Sequence, residues 1–488
     1  MKESELNNNY IVKANKSFKW TTLAEIMAKL LAPIMNMILA RFILPEVFGI
    51  VASISIIITF AELISEGGFS RVIVQKKINS DEDIKKISGT ANVSTIVISL
   101  LIFVAIAIFQ NPLAELVKCK GYGLFLMITA IQIPLYGFSS IQTAIAKRKF
   151  DYKWIAIIRV SCSIVRLAVS VAFAVSGHGI EALIFGALIS TFIQSLLLVV
   201  IYRRYLSFRF SLKCFKEMFV ISLLFFFESF VSWLTTSLDT FLIALFFDQT
   251  TNGLYKNAFS TESGIIAIAT AIYSSIMISL LSRYQDDETA FNKIVCKYQR
   301  IISYLIVPLG IGMFIYRNEL TLLFFGEGWE GAAIIFGVFA IGECFKSATG
   351  LFIMAGFTAK GKPLWNILAN IVGLIWTIIS YVCFARFGFD VFVYLRSISF
   401  YLTSLFCLIV GKIILKIDLL AMLKNLGMPL FISMFMIAVA IFQAMYYPNY
   451  YYFGIGLCIV IYFFLFYMLS NCEFKDLIKI IRGKESNF

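Results

Sequence analysis

Four residues in one apolar stretch, Arg159, Ser163, Arg166 and Ser170, recur at spacings of four, three and four. That spacing puts two guanidinium groups and two hydroxyls on one face of a helix. Charge is expensive in hydrocarbon, so such groups face protein or a water-filled cavity. At about 1.5 Å per residue from Trp154, Arg166 lies roughly 18 Å along the helix, near a bilayer midplane, whereas Arg159 is shallow enough to snorkel to the interface. Lys29, Lys346 and Arg396 also stand inside apolar stretches. Glu25 and Lys29 are spaced i,i+4 and Glu343 and Lys346 i,i+3, so each lysine has a carboxylate on its own helix that can neutralise it without a ligand. A guanidinium binds phosphate oxygens through paired hydrogen bonds. Cations at several depths, Arg166, Arg159, Lys29, Lys346 and Arg396, therefore suit an anionic, phosphate-bearing ligand and offer nothing to a purely apolar or cationic one.

The deep acids are Glu62, Glu228, Asp239 and Glu262, which read either as ion-coupling carboxylates or as partners of those cations. Asp239 with Asn366 and Asn370, one turn apart, offers a carboxylate and amide oxygens, the hard ligands of a sodium ion. Hydrogen bonding between membrane helices accounts for the same residues without an ion. The candidates for ion coupling are thus Asp239, Asn366, Asn370, Glu62 and Glu228, with Na+ or H+ as the coupled ion. Catalysis has little material to work with. The single histidine, His178, sits in a Gly177-His178-Gly179-Ile180 turn, and the nine cysteines show no CxxC or metal-ligand spacing. We expect no catalytic residue, no cofactor and no metal beyond that sodium, and the chain reads as a non-enzyme.

The elements that must position these side chains are apolar helices. The 488 residues are 60% hydrophobic and 15% charged, with 49 phenylalanines and 22 tyrosines, so the surface of the fold faces lipid. Windows of about 20 apolar residues predict about 14 membrane helices. They run 18–40, 47–66, 87–109, 121–145, 154–176, 180–202 and 217–246, then 253–281, 300–316, 332–356, 364–384, 390–411, 427–446 and 451–470. The opening before the first of them lacks a cleavage site of small residues, so it reads as a retained helix. The net charge of +13 lies between the apolar segments, which argues against a nucleic-acid partner and orients the chain instead. Arg71, Lys76, Lys77, Lys85 and Lys86, then Lys147, Arg148, Lys149 and Lys153, then Arg203, Arg204, Arg209, Lys213 and Lys216 occupy the first three loops on one side. The other side keeps far fewer cations, among them Arg41, Lys118, Lys120, Lys256, Arg317 and Arg386. Both termini are therefore expected in the cytoplasm.

An internal repeat is also legible. Leu39-Ala40-Arg41-Phe42 leads to Pro45-Glu46-Val47-Phe48-Gly49-Ile50, and Ile243-Ala244-Leu245-Phe246 leads to Gln249-Thr250-Thr251-Asn252-Gly253-Leu254. Ala40 and Ala244, and Gly49 and Gly253, match at one offset. Six helices per half give the repeats the same topology. The expected organisation is a six-helix lobe at 1–202, a second at 203–416, two further membrane helices at 417–470 and a cytoplasmic tail at 471–488.

Arg41-Phe42-Ile43-Leu44-Pro45-Glu46-Val47-Phe48-Gly49-Ile50-Val51-Ala52, with Gly67-Gly68-Phe69-Ser70 and Val74-Gln75-Lys76-Lys77, resembles the first helical hairpin of bacterial polysaccharide exporters. The match is to the group that flips O-antigen, colanic-acid and teichuronic-acid repeat units. Phe324-Phe325-Gly326-Glu327-Gly328-Trp329-Glu330-Gly331-Ala332 resembles the loop before their tenth helix. The resemblance implies an all-α polytopic member of the multidrug, oligosaccharidyl-lipid and polysaccharide exporter superfamily, with two six-helix lobes around a central cavity plus two C-terminal helices. It further implies a flippase in the bacterial cytoplasmic (inner) membrane. The cargo would be an undecaprenyl-diphosphate-linked oligosaccharide moved to the outer leaflet by alternating access, with membrane lipid around it, a polysaccharide polymerase as partner and a monomeric state. No catalytic motif carries over, so the site residues rest on the charge argument. The alternative within the superfamily is an ion-coupled drug or small-molecule antiporter, which twelve helices and a carboxylate-dominated cavity would favour. A membrane glycosyltransferase or polymerase needs a sizeable aqueous loop, and the longest outward loops here are only Asn111 to Lys120 and Arg317 to Gly331.

Overall fold

The computed structural model describes residue 27, residues 31–75 and residues 81–481. Among these the chain is helical, with no strand. In chain order the helices are α1 (Leu31–Ala40), α2 (Pro45–Glu66), α3 (Phe69–Gln75), α4 (Asp81–Ile108), α5 (Gln110–Leu116), α6 (Gly123–Ala130) and α7 (Gln132–Arg148). Next are α8 (Tyr152–Val175), α9 (Gly179–Ile201), α10 (Leu212–Phe246), α11 (Gln249–Arg283), α12 (Glu288–Ile315) and α13 (Arg317–Phe325). The last are α14 (Ala332–Ala359), α15 (Leu364–Phe384), α16 (Phe389–Ile414), α17 (Leu419–Tyr446), α18 (Tyr451–Leu469) and α19 (Asn471–Ile481).

Among the described residues, twelve spans are long and apolar enough to cross a bilayer, α6 and α7 together forming one of them. The other two of the fourteen expected segments are α1, the described part of the first, and α11. The latter has 35 residues, but its first half is broken by Gln249, Asn252, Lys256, Asn257 and Glu262. The two longest outward loops each fold into a short helix, α5 and α13. The chain is a multi-pass α-helical membrane protein.

It divides into two compact units, Met1–Lys256 and Asn257–Phe488. In the first, Pro45 occupies the first turn of α2, where its missing N–H costs nothing. Gly67, in the left-handed conformation, closes the helix with its N–H on the Leu63 carbonyl at 3.2 Å. α10 packs against α2, α3 and α4. Two fully buried amides join α4 to α7 and to the basic segment that follows α9: Gln142 donates to Asn92 at 3.3 Å, and Asn92 to the Ser207 carbonyl at 3.3 Å. Amide bonds of this kind hold helices together where lipid supplies no hydrophobic contrast.

α2 and the first turns of α11 approach each other closely at two glycines. A Cβ on Gly49 would lie 1.7 Å from the Gln249 oxygen and 2.9 Å from the Gly253 nitrogen. A Cβ on Gly253 would lie 1.8 Å from the Pro45 oxygen and 2.9 Å from the Gly49 nitrogen. Pro45 and Gly49 stand at the same offset from Gln249 and Gly253, so the repeat positions meet each other reciprocally, as a local two-fold axis requires. Around the crossing, the Asn252 amide donates to the Gly49 carbonyl at 3.2 Å and to the Ser53 hydroxyl at 2.9 Å, and Ser53 donates to Gln249 at 3.0 Å.

The second unit repeats the helix pairings of the first: α4–α7, α7–α9 and α8–α9 recur as α12–α14, α14–α16 and α15–α16. Asp287 caps α12, accepting from the Thr289 and Ala290 N–H groups at 3.0 Å. The extra helices are bound firmly. Tyr304 of α12 stacks on Phe466 of α18 at 4.2 Å and shares a hydrogen bond of 2.7 Å with Ser470, while the Tyr462 hydroxyl donates to the Tyr304 carbonyl at 2.8 Å. α19 folds back on α12, with Leu477 and Ile480 buried and Glu473 on Arg300 at 2.5 Å.

Candidate functional site

In the first unit, α8 carries the Arg–Ser stripe. Arg159 is exposed, and the Ser163 hydroxyl donates to its carbonyl at 2.9 Å. Ser170 is buried in the α8–α9 contact, where a Cβ on Gly186 would lie 2.0 Å from its Oγ. The Ser163 hydroxyl thus bonds to its own helix, whereas the Ser170 hydroxyl packs against α9 with no hydrogen-bond partner among the described residues. Arg166 lies between them, half-buried, with no hydrogen bond or ion pair to any described residue. Its five guanidinium donors thus have no partner among the described residues, and such donors suit an anion.

The acids of the first unit are engaged differently. Glu228 pairs with Arg71 of α3 at 2.7 Å, and that guanidinium lies 6.0 Å from the Phe225 ring. Glu62 is half-buried on α2, one turn before Glu66, which accepts from Ser70 and, at 3.1 Å, from the Tyr136 hydroxyl. Asp239 is buried on α10, with Lys256 as a charged neighbour. Asn366 and Asn370 belong to the second unit. There the Asn366 amide donates to the Met354 carbonyl at 3.2 Å and the Thr358 hydroxyl at 2.9 Å, tying α15 to the end of α14. Lys29 lies outside the described residues. No group of three or more His, Cys, Asp or Glu side chains among the described residues is placed to hold a metal ion.

The second unit gathers charged side chains from three helices. Glu262 of α11 is fully buried. The hydroxyl of Ser263 stands 2.9 Å from Glu343 of α14 and 3.3 Å from Glu262. Lys346, one turn along α14, has its ammonium 5.8 Å from the Phe400 ring of α16. Arg396 of α16 is buried against the same ring at 5.4 Å and against Phe339 at 5.8 Å, and donates to Ser399. Two of the cations singled out in the sequence, Lys346 and Arg396, therefore converge on one aromatic ring, where the ring faces attract them.

The neighbouring face of α11 opens on a cleft of about 510 Å³ lined almost wholly by apolar side chains. Ile265 and Ile268 of α11, Leu309 and Gly312 of α12, Met436 of α17 and Ile459 of α18 form much of its wall. Pro308 lies on the same wall and deletes one backbone bond of α12. The cleft suits an apolar chain and offers nothing to an ion.

Sequence reasoning missed Ser263, Phe400, Arg71, Tyr136 and the cleft. Ser399, at i+3 from Arg396, was legible by spacing, but nothing local marks Phe400 as the ring two cations share.

Comparison with known proteins adds the relationship. Residues 38–334 match the model of a family described as polysaccharide biosynthesis protein. A membrane protein of the cps region of Klebsiella pneumoniae is 20% identical over 321 residues, 65% of each chain. The succinoglycan biosynthesis transport protein ExoT of Rhizobium meliloti is 20% identical over 65% of this chain and 63% of its own. The lipopolysaccharide biosynthesis protein WzxC of Escherichia coli is 22% identical over 64% of this chain and 63% of its own. The chain thus spans slightly under two-thirds of the length of these relatives. Among solved structures, the lipid II flippase MurJ in an inward closed conformation superposes with a TM-score of 0.75 over 94% of this chain and 99% of that one, at 16% identity. An inward-facing multidrug transporter of the MATE family gives 0.60 over 81% and 96%, at 15% identity. At these identities the likeness is one of fold.

Proposed function

We propose that this chain, which belongs to the polysaccharide biosynthesis protein family, exports a lipid-linked sugar: it carries an undecaprenyl-diphosphate-linked oligosaccharide repeat unit from the cytoplasmic to the outer leaflet by alternating access. The observation that carries this reading is Arg166, a guanidinium on an apolar helix of membrane length with no hydrogen bond or ion pair to any described residue; the second unit separately holds an apolar cleft of about 510 Å³. A polyprenyl diphosphate has matching chemistry, a charged head that paired guanidinium donors fit and a tail that only an apolar wall accepts. Arg166 takes the diphosphate or an acidic sugar, with Arg159 as a further cation of the same helix. The protein works as a monomer in the bacterial cytoplasmic membrane with both termini inside, and delivers its cargo to a polysaccharide polymerase. Relatives named for succinoglycan transport and lipopolysaccharide biosynthesis support a surface-polysaccharide cargo.

The test fills the cleft. A Cβ on Gly312 meets only the tip of Met436, at 3.7 Å, so the ring in Gly312→Phe enters the cleft without displacing backbone. In cells lacking the native gene, this variant should accumulate normally and export surface polysaccharide about tenfold less than wild type. Undiminished export at equal protein level removes the cleft from the transport path.

A further inference from the structure

We infer that Glu262, Ser263 and Glu343 of the second unit form a proton-binding relay that couples export to proton movement. This rests on the exporter reading for the word coupling, but not for the proton site. Three observations carry it. Glu262 is fully buried, and its Oε1 has no hydrogen-bond partner among the described residues. Glu343 is only half-buried, so one carboxyl of the pair is reachable and the other is not. Between them stands a single hydroxyl, 2.9 Å from one and 3.3 Å from the other.

The hydrogen-bond inventory of the described residues favours a proton on the pair. Two carboxylates are acceptors only, and the one Ser263 proton serves one of them at a time. A proton on the pair converts an acceptor without a donor into a donor. A hydroxyl can accept a proton on one lone pair while giving its own from the other side, so Ser263 can pass a proton from Glu343 to Glu262 without either carboxyl moving far. The balance is simple: hydronium on one side gives up a proton and leaves water, Glu343 takes it, Glu262 ends with an O–H, and after the alternating-access change exposes Glu343 to the other side the reverse sequence returns the proton to water there.

The surrounding groups favour a proton over a metal cation. Lys346 is a fixed positive charge one turn from Glu343, and Arg396 is a second cation sharing the Phe400 ring with it. Among the described residues, Cys344 on α14 and Cys407 and Tyr401 on α16 are further titratable groups facing this region, and Gly310 of α12 approaches Cys344. Two carboxyl groups and one hydroxyl fall short of the six or more oxygens a hard cation of the calcium class collects.

The experiment is infrared difference spectroscopy of the purified full-length protein in lipid nanodiscs, stepping the pH between about 5 and 9 around the range in which carboxyl groups are tuned for proton transfer. Wild type should show a protonated-carboxyl stretch whose intensity falls as pH rises. Glu262→Gln should lose that band. Ser263→Ala, the milder variant, should keep it but slow its hydrogen–deuterium exchange about tenfold or more, because the relay is cut. A band that ignores pH makes Glu262 a permanently neutral structural acid, and absence of any band makes the pair fully ionised. Either result overturns the proposal, as does loss of the band on exchanging choline chloride for sodium chloride at constant pH, which marks a cation site. A titrating band in a protein that exports no lipid-linked sugar leaves the relay standing and removes only the exporter reading.

Discussion

The reciprocal crossing of α2 and α11 makes a sharp prediction about Gly49. In Gly49→Ala the new methyl would sit 1.7 Å from the Gln249 oxygen and 2.7 Å from its carbonyl carbon. Both are backbone atoms, so no rotamer change relieves the overlap and the helices must separate by more than an ångström. Overpacking of this kind costs about 1–3 kcal/mol. Separation also strains the Asn252 bonds to Gly49 and Ser53 and the Ser53 bond to Gln249, at roughly 0.6 kcal/mol for each bond between membrane helices. The total destabilisation is about 2–5 kcal/mol. Gly253→Ala should cost a similar amount, and the double variant less than the sum, because the first methyl has already opened the crossing. Gly456→Ala is the control: its Cβ meets nothing within 4 Å, and alanine suits a helix better than glycine. Thermal unfolding in detergent, followed by loss of the monodisperse peak, compares the four. If Gly49→Ala melts together with Gly456→Ala, the close crossing is not a feature of the folded protein.

Four further outcomes are expected. Arg166→Lys should keep part of the export activity through its charge while Arg166→Ala loses nearly all at matched expression, whereas full activity in the alanine variant makes the residue structural. Single cysteines replacing Phe210 and Lys120 should label from opposite faces of intact cells under the proposed orientation, because basic segments such as that around residue 210 tend to be retained inside. Burial pushes the Cys119 thiol up to about 11, so it stays protonated at neutral pH and its alkylation should rise with pH toward that value, while exposed Cys472 reacts readily at pH 7. Early labelling of Cys119 at neutral pH would mean that the α5–α6 turn opens. Arg300→Glu should weaken the α12–α19 clasp and Glu473→Arg in the same chain restore it, read as protease sensitivity of the C-terminal helix.

Much of the fold was legible because its driving force is local. Apolar runs of bilayer length are properties of contiguous sequence, and they predict the long helices from α2 to α18. α12 nevertheless begins at Glu288 and α17 at Leu419, well before the expected 300 and 427, and the short α3, α5 and α13 were not foreseen. α11 shows why composition alone is a weaker guide to spanning: Asn252 and Glu262 reduce its apolar character, yet both are buried in the fold. The match of Gly49 with Gly253 was visible as an echo in sequence, but only three dimensions show that the two glycines touch. The charged residues were legible as individuals and not as partners. Glu343 and Lys346 announce each other at i,i+3, whereas Glu262 reaches Glu343 from another helix through Ser263, and Glu228 finds Arg71 more than 150 residues away. Spacing encodes faces of a helix, and which faces meet depends on packing that no local pattern contains.

The central claim, that this chain moves a polyprenyl-diphosphate-linked oligosaccharide across the membrane, is tested most directly by the leaflet in which that lipid resides. Lectin or periodate accessibility of the lipid-linked sugar, compared in right-side-out and inverted vesicles from cells with and without the chain, reads this in one assay. The account predicts that the sugar is accessible on the outer face only when the chain is present, and accumulates on the cytoplasmic face when it is absent. An unchanged distribution between the two faces, with surface polysaccharide also unaffected, would contradict it.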